Sequence, residues 1–204
     1  MEIEYEATFL DINKDEMREK LKKAGAKLVK PEFMQKRVVF NLPNGHYKEH
    51  AWLRVRDEQD KITMSYKEVG TKKIDDQKEI CLKINSFKEG TEFLKVIGCD
   101  QRSYQETQRE IWELDGVEIC IDTWPFLEPF VEVEGKSEKE VKVVSEKIGL
   151  DYAKAWFCAT GQIYSKKYNI PVKIINEQTP KITFDMENPF LKFKKYNGNN
   201  NLSG

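Results

Sequence analysis

Apolar and polar residues alternate in several short stretches of the chain, which is the periodicity of a β-strand with one face in an apolar core. The first stretch, EIEYEATF, places Glu4 and Glu6 on one face and Tyr5 and Ala7 on the other. Seven or eight strands are predicted in this way. The others are VVF near residue 39, AWLRVR, ITMSYKE, KEICLKI, TQREIWEL, VEICIDT and PFVEVEG.

Helical periodicity separates several of these strands. NKDEMREKLKKAG has apolar residues at helical spacing, with Asn13 at its start and Gly25 at its end. SEKEVKVVSEKIG begins with Ser137 and Glu140 in capping-box spacing. GTEFLKVIG and residues 160–168 predict two further helices. Each helix is apolar on one stripe only, so each is expected to pack on the apolar face of the strands.

The charged face of the strands has two alternative environments. An open antiparallel sheet turns its polar face to water, whereas a closed barrel holds that face inside and can bind a polar ligand. The residue types favour the barrel, because arginines bind phosphate through planar forks and clustered carboxylates hold hard divalent cations. The face carries Arg54, Arg56, Arg109, Glu4, Glu6, Asp122, Glu132 and Glu134. A metal-bound polyphosphate would need both kinds of group.

The overall charge narrows the choice of ligand. The 204 residues include 34 basic and 35 acidic side chains, for a net charge of -1. No bulk field therefore attracts nucleic acid or an anionic membrane. The four cysteines lie far apart without a CxxC pair, which disfavours a zinc site or a disulfide framework. With no apolar run of membrane-spanning length, a reduced, cytoplasmic protein is expected.

The order of these motifs resembles that of the CYTH superfamily, the triphosphate tunnel metalloenzymes. This superfamily includes class IV adenylate cyclases, thiamine triphosphatases and inorganic triphosphatases. Seven motifs match in order, each on a predicted strand: ExExK at 4–8, LRxR at 53–56, Tyr-Lys at 66–67, an acid at Glu79, KxR at 107–109, an aspartate at Asp122 and ExE at 132–134. The stretch IDTWPFLEPFVEVEG looks most similar to the bacterial adenylate-cyclase-like branch.

The resemblance implies a fold and an activity. The fold would be α+β, a closed antiparallel eight-stranded β-barrel with a charged tunnel inside and helices packed outside. The activity would be divalent-metal-dependent processing of ATP or of an inorganic or organic triphosphate, either by cyclisation of ATP or by hydrolysis. The cofactor would be Mg²⁺ or Mn²⁺. The family often forms dimers, so a homodimer is one expected assembly. From the balanced charge, no nucleic-acid or membrane partner is expected.

The resemblance also implies roles for the charged residues. The phosphate-binding residues would be Arg54, Arg56, Lys67 and Arg109, with Lys67 and Arg109 catalytic. Lys83, on the same strand face as Glu79, would add a phosphate contact. The metal ligands would be Glu4, Glu6, Asp122, Glu132 and Glu134, and Glu79 would complete the site.

Two positions depart from the family pattern. The lysine of ExExK is Thr8 and the lysine of KxR is Thr107, which removes two charge-assisted contacts to phosphate. These losses support the alternative of a CYTH module that binds a nucleotide or polyphosphate without turning it over. Lys36 and Arg37 lie outside the matching motifs; they are expected first to be solvated charges and, as the alternative, to reach the tunnel mouth.

The residue composition of the chain changes after residue 170. Residues 1–170 are predicted to form the tunnel domain, and residues 171–204 a partly flexible extension that ends in NGNNNLSG. Within the extension, KITF and FLKF predict an edge hairpin, a tunnel cover or a dimer contact, among which the sequence does not choose.

Overall fold

The computed structural model describes residues 1–70 and 73–193, and its framework is a β-barrel. The barrel strands are β1 (Glu2–Phe9), β2 (Lys27–Phe40), β3 (Ala51–Asp57), β4 (Ile62–Val69), β5 (Gln77–Ile84), β6 (Gln101–Leu114), β7 (Val117–Thr123) and β8 (Phe130–Gly135). Around the barrel they follow the order β2-β3-β4-β5-β1-β8-β7-β6, and antiparallel pairing of β6 with β2 closes the ring. The predicted closed antiparallel eight-stranded barrel is confirmed.

Helices connect and flank these strands: α1 (Lys14–Ala24), α2 (Phe87–Val96), α3 (Glu138–Lys147), α4 (Thr160–Tyr168) and α5 (Val172–Glu177). The Asn13 side chain accepts hydrogen bonds from the backbone N–H groups at the start of α1, and the helix ends at Gly25 with a φ of +85°. The Ser137 hydroxyl caps α3 by accepting from the Glu140 N–H. Within the described ranges, none of these helices has the length and apolar character needed to cross a membrane.

The main apolar core lies outside the barrel, between its wall and two helices. Outward-facing residues of β1, β7 and β8 pack against α1 and α3; the buried set includes Ala7, Ile119, Ile121, Val131, Val133, Met17, Leu21, Val141 and Val144. Arg18 of α1 also forms a bidentate pair with Glu110 on the outer face of β6, with Nη2 to Oε2 at 2.8 Å. This packing fixes the inside-outside alternation, because a shift of one residue would exchange the faces.

Helix α2 covers another part of the barrel wall. Its buried Leu94 packs in a cluster with Val38 of β2 and Val55 of β3. Gly90 permits this close approach, since a Cβ atom there would lie 2.4 Å from the Ile84 side chain. The charged faces of β2 and β3 are therefore turned toward the barrel interior.

A second core joins the C-terminal part of the chain to the barrel. It contains Trp124, which directly follows β7, and Phe130 of β8 together with Tyr164, Ile175 and Phe190. A short strand, β9 (Lys181–Ile182), pairs in parallel with β6 where β7 has ended. The KITF stretch thus adds a parallel strand rather than a hairpin.

The predicted division of the chain stays a prediction. The structure places residues 171–193 against the barrel and α4, and it buries Phe190 fully. The predicted flexible end, NGNNNLSG, lies outside the described residues.

Candidate functional site

The barrel encloses a cavity of about 300 Å³ with charged walls. Nine residues predicted from the sequence line it: Glu4, Glu6, Arg54, Arg56, Lys67, Glu79, Arg109, Glu132 and Glu134. The alternation of β1, β3, β4, β5, β6 and β8 brings them together, because their apolar neighbours face the outer cores. Two predicted residues, Lys83 and Asp122, do not line the cavity.

The charges divide the cavity by strand into two halves. We call the basic half the wall formed by β6, β2, β3 and β4, which carries Arg102, Arg109, Arg37, Arg54, Arg56 and Lys67. We call the acidic half the wall formed by β5, β1, β8 and β7, which carries Glu79, Glu4, Glu6, Glu132, Glu134 and Glu118. Each half consists of four consecutive strands, so the cavity presents cations on one side and carboxylates on the other.

Ion pairs join the two halves where β4 meets β5. Lys67 Nζ lies 2.8 Å from Glu4 Oε2 and 3.5 Å from Glu79 Oε2. Arg54 Nη2 donates to Glu79 Oε1 at 3.1 Å. Burial alone would lower the pKa of Lys67, but Glu4 and Glu79 raise it above its usual value, so the ammonium stays charged. Glu79 thus orients two cations of the basic half.

Arg109 joins the halves on the opposite side, where β6 meets β7. Its Nε donates to Asp122 Oδ1 at 2.8 Å, and its Nη2 lies 2.5 Å from both Asp122 Oδ2 and Glu132 Oε2. Asp122 has no exposed surface and holds the guanidinium from the wall side. The structure therefore places Asp122 as a partner of Arg109, outside the cavity in which the other predicted metal ligands lie.

Lys83 is also placed away from the site. It lies near the end of β5, opposite Thr63 of β4, and its side chain is exposed. The residue faces inward by strand alternation, but the cavity ends before it. The structure does not bring Lys83 to the other predicted phosphate-binding residues.

The acidic half holds glutamates side by side. Glu6 of β1 is the cross-strand partner of Glu134 of β8, which is in turn the partner of Glu118 of β7. Burial, followed by the charge of Glu6, raises the pKa of Glu134 to about 7. Burial and the adjacent Glu79 carboxyl raise the pKa of Glu4 to about 8. At neutral pH these buried carboxyl groups are therefore partly protonated, because their negative charges would repel one another.

This donor set fits a hard divalent cation in its chemistry. Carboxylate oxygens are the ligands that Mg²⁺ and Mn²⁺ prefer, and a bound cation would relieve the repulsion among the glutamates. In the described residues, however, no three histidine, cysteine, aspartate or glutamate side chains are already gathered into a metal-binding group. Glu4 and Glu132 are instead engaged by Lys67 and Arg109.

The comparisons with known proteins agree with this architecture. The model of the CYTH domain matches residues 2–154. The chain belongs to the CYTH domain family. No curated protein matches its sequence.

Solved structures share the CYTH fold at low sequence identity. A candidate adenylate cyclase from Vibrio parahaemolyticus superposes with a TM-score of 0.68 at 13% identity, covering 80% of this chain and 98% of that one. A conserved uncharacterised protein from Pyrococcus furiosus superposes with a TM-score of 0.64 at 20% identity, covering 76% of this chain and 96% of that one. A candidate adenylyl cyclase from Hippeastrum with a dominant triphosphatase activity superposes with a TM-score of 0.55 at 13% identity. The match covers 85% of this chain and 99% of that one. At these identities the likeness shows the fold alone.

The two departures from the CYTH motifs have different surroundings. Thr8 is buried at the end of β1, where its backbone pairs with that of Trp156 through N–H to O distances of 2.9 and 2.8 Å. Thr107 is buried on β6, where its hydroxyl contacts Arg37 of β2. Arg37 lines the cavity with 6% of its surface exposed, so the expectation that it is a solvated charge is wrong.

Sequence reasoning missed a further part of the CYTH cavity, its C-terminal wall. The chain from 158 to 161, together with Tyr164 of α4, Ile175 and Asn176 of α5 and Ile182 of β9, lines the cavity beside the barrel strands. These residues follow the matched region, and no motif marks them. The anchoring of the second core on Trp124 and Phe130 is what brings them there.

Proposed function

We propose that this CYTH protein binds a divalent-metal complex of a triphosphate inside the barrel and processes it. The observation that carries the proposal is the division of the cavity into a basic half and an acidic half. A metal triphosphate has the complementary arrangement, because phosphate oxygens need cations and the metal needs carboxylates. The substrate would be ATP or an inorganic or organic triphosphate.

The basic half would bind the phosphate chain. Arg54 and Arg56 project from one strand and offer planar forks for phosphate oxygens. Burial, then the charge of Arg56, lowers the pKa of Arg54 to about 10, which leaves it protonated at neutral pH. An anionic ligand would be attracted to the adjacent charges of Arg54 and Arg56.

Lys67 and Arg109 are the proposed catalytic residues. They lie at the two junctions between the halves and already contact Glu4 and Glu132. From there they would reach phosphate oxygens close to the metal and stabilise charge on the transferring phosphoryl group. Their carboxylate partners fix both cations before the substrate arrives.

Glu4, Glu6, Glu132 and Glu134 would hold Mg²⁺ or Mn²⁺. When bound, the cation would neutralise phosphate charge and lower the pKa of a coordinated hydroxyl or water. The chain's own contribution is to place the carboxylates on one wall and to keep the opposite wall cationic.

Two reactions fit this arrangement. Attack of water on the terminal phosphorus breaks its bond to the bridging oxygen and releases orthophosphate. Attack of the ribose 3′-hydroxyl of ATP on the α-phosphorus releases pyrophosphate and forms cyclic AMP, as in class IV adenylate cyclases. The Hippeastrum structure belongs to a candidate cyclase with a dominant triphosphatase activity. That precedent in a protein of the same fold makes both reactions worth testing together.

The second candidate function is binding without turnover. It is favoured by Thr8 and Thr107, where the CYTH motifs have lysines. The absence of nucleic-acid and membrane partners, the homodimer and a place in the cytoplasm stay predictions from the sequence.

Phosphorus NMR of the purified protein tests the proposal. ATP and tripolyphosphate are incubated separately with Mg²⁺ or Mn²⁺, beside a Glu4→Gln/Glu6→Gln control. Orthophosphate identifies a hydrolase, and pyrophosphate with cyclic AMP identifies a cyclase. Unchanged substrate with resonances broadened only by the wild-type protein identifies a binding module. Unchanged and unbroadened spectra would contradict the proposal.

A further inference from the structure

Arg37 lies at the centre of the basic half. Its strand, β2, runs between β3 and β6, and Arg37 pairs in register with Arg56 on one side and with Gln105 on the other. Without Arg37, the strand between Arg56 and Arg109 would carry no cation into the cavity. The residue therefore makes the basic wall continuous over four strands.

The guanidinium of Arg37 has only neutral partners among the described residues. Its Nη2 donates to Gln35 Oε1 at 2.8 Å and to Thr107 Oγ1 at 2.6 Å, and its buried Nε has no hydrogen-bond partner there. No carboxylate of the described chain lies within ion-pair distance of it.

The three cavity arginines that were predicted from the sequence differ in this respect. Each of them has a carboxylate within 3.1 Å: Arg54 has Glu79, Arg56 has Glu58 and Arg109 has Asp122. A buried charge without a counter-ion is costly, so a ligand that supplies the opposite charge would be bound favourably.

The electrostatic environment of Arg37 also favours an anionic ligand. Burial lowers its pKa well below that of an exposed arginine, and the charges of Arg54 and Arg56 lower it further. In the absence of ligand, the positive charges on this wall therefore repel one another. An anion placed among these guanidinium groups would remove the repulsion.

We infer that Arg37 is a further phosphate-binding residue of this cavity and that its guanidinium contacts oxygens of the triphosphate. The inference rests on the proposed function and adds a residue to it. The triphosphate would be the counter-ion that the protein itself does not provide.

Thr107 fits this role for Arg37. A lysine at position 107 would bring an ammonium group against a guanidinium whose Nη2 is 2.6 Å from the present hydroxyl. The small, neutral threonine leaves room for Arg37 and orients it through a hydrogen bond. The cation that the CYTH motif places on β6 is therefore supplied here from β2.

The orientation of Arg37 is set by an aromatic contact as well. Its Cζ lies 4.6 Å from the centroid of the Trp124 ring, and Trp124 makes an edge contact with Tyr164 of α4 at 6.4 Å. A cation–π contact of this kind restrains the guanidinium against the ring. The C-terminal wall thus helps to hold a phosphate-binding residue in place.

The test measures tripolyphosphate binding by calorimetry, with Mg²⁺ present, and the melting temperature of each ligand-free protein. Arg37→Gln removes the charge, and Arg37→Lys keeps it without the fork. Lys36→Gln, at the exposed neighbour on the same strand, is the matched control. Arg54→Gln reports on the proposed function independently.

We expect Arg37→Gln to weaken binding by about tenfold to a hundredfold, the effect of losing a charge-assisted contact. Arg37→Lys should recover part of the loss, and Lys36→Gln should bind like wild type. The ligand-free melting temperature of Arg37→Gln should equal or exceed that of wild type, because an uncompensated charge has been removed. A merely structural arginine would lower it.

The outcomes that would overturn the inference are distinct from those that would overturn the proposed function. If Arg54→Gln weakens binding while Arg37→Gln binds as Lys36→Gln does, Arg37 is not a phosphate-binding residue and the proposed function stands. If wild type itself binds neither tripolyphosphate nor ATP in the presence of Mg²⁺, the proposed function fails and the role of Arg37 fails with it.

Discussion

Glu6 of β1 and Glu134 of β8 are direct cross-strand partners, and both side chains line the cavity. On the opposite wall, Arg37 of β2 is the direct partner of Arg56 of β3. Like charges at paired positions destabilise a sheet, and here they do so on both walls. A ligand with a cationic and an anionic part would relieve both repulsions together. We regard this relationship as the central feature of the protein.

Stability of the metal-free protein should fall as the pH rises through neutrality. The pKa of Glu134 is raised from 4.5 to about 7 and that of Glu4 to about 8 by burial and neighbouring carboxylates. Between 4.5 and these values the folded state binds more protons than the unfolded state, so the free energy of unfolding decreases with pH. Melting temperatures measured in the presence of a chelator check this slope.

Divalent cations should reverse that trend. Because Mg²⁺ competes with protons for the same carboxylates, we expect it to raise the melting temperature more at about pH 8 than at about pH 5. A Glu6→Gln/Glu134→Gln protein is the control and should lose most of the effect. A Mg²⁺ effect that is equal at both pH values would contradict the placement of the cation on this wall.

Lys67→Met should weaken both folding and binding. The variant leaves Glu4 and Glu79 without the ammonium that lies 2.8 and 3.5 Å from them, and breaking a buried pair costs about 3 kcal/mol. Denaturant unfolding and tripolyphosphate titration measure the two effects. Lys83→Met, on an exposed lysine of the adjacent strand, should change neither. An equal loss of affinity in Lys83→Met would show that the sequence prediction for Lys83 is right and its placement here is wrong.

Thr107→Lys should impair the protein although it restores a CYTH lysine. The new ammonium would meet the Arg37 guanidinium, so we expect a lower melting temperature and weaker tripolyphosphate binding. Adding Arg37→Gln to this variant should recover part of both losses. Stronger binding by Thr107→Lys alone would contradict the account of Arg37.

The sequence was sufficient for the barrel and for most of the cavity lining because both depend on strand alternation. Once Arg54 and Arg56 share a face with apolar residues opposite, the face that covers the core and the face that holds charge are determined. It was insufficient for β2. That strand extends over Lys27–Phe40, but its residues 37–40 are all buried, so apolar and polar positions do not alternate there and only VVF was predicted. The interior position of Arg37 was missed for the same reason.

Long-range contacts account for the remaining differences. Alternation puts Asp122 on the inner face of β7, but only the structure shows that Arg109 covers it. Alternation likewise puts Lys83 on an inner face without revealing where the cavity ends. The wall formed by α4, α5 and β9 depends on packing between Trp124 and Tyr164, which are 40 residues apart in the chain.

Phe190→Ala should destabilise the whole domain. Phe190 is fully buried, and its ring lies 4.9 Å from that of Tyr164 and 5.1 Å from that of Tyr168. Removing a buried phenylalanine side chain costs about 3 to 5 kcal/mol. Denaturant unfolding measures the change, with the exposed neighbour Leu191→Ala as control. A near-zero effect would support the alternative in which residues after 170 are a dispensable extension.

The most direct test of the central claim is a crystal structure of the protein with Mn²⁺ and tripolyphosphate. Anomalous scattering locates the metal independently of the phosphates. We predict a manganese peak between Glu6 and Glu134, with phosphate oxygens against Arg54, Arg109 and Arg37. A metal or a phosphate chain bound only outside the barrel, with the cavity still spanned by its own ion pairs, would contradict the account.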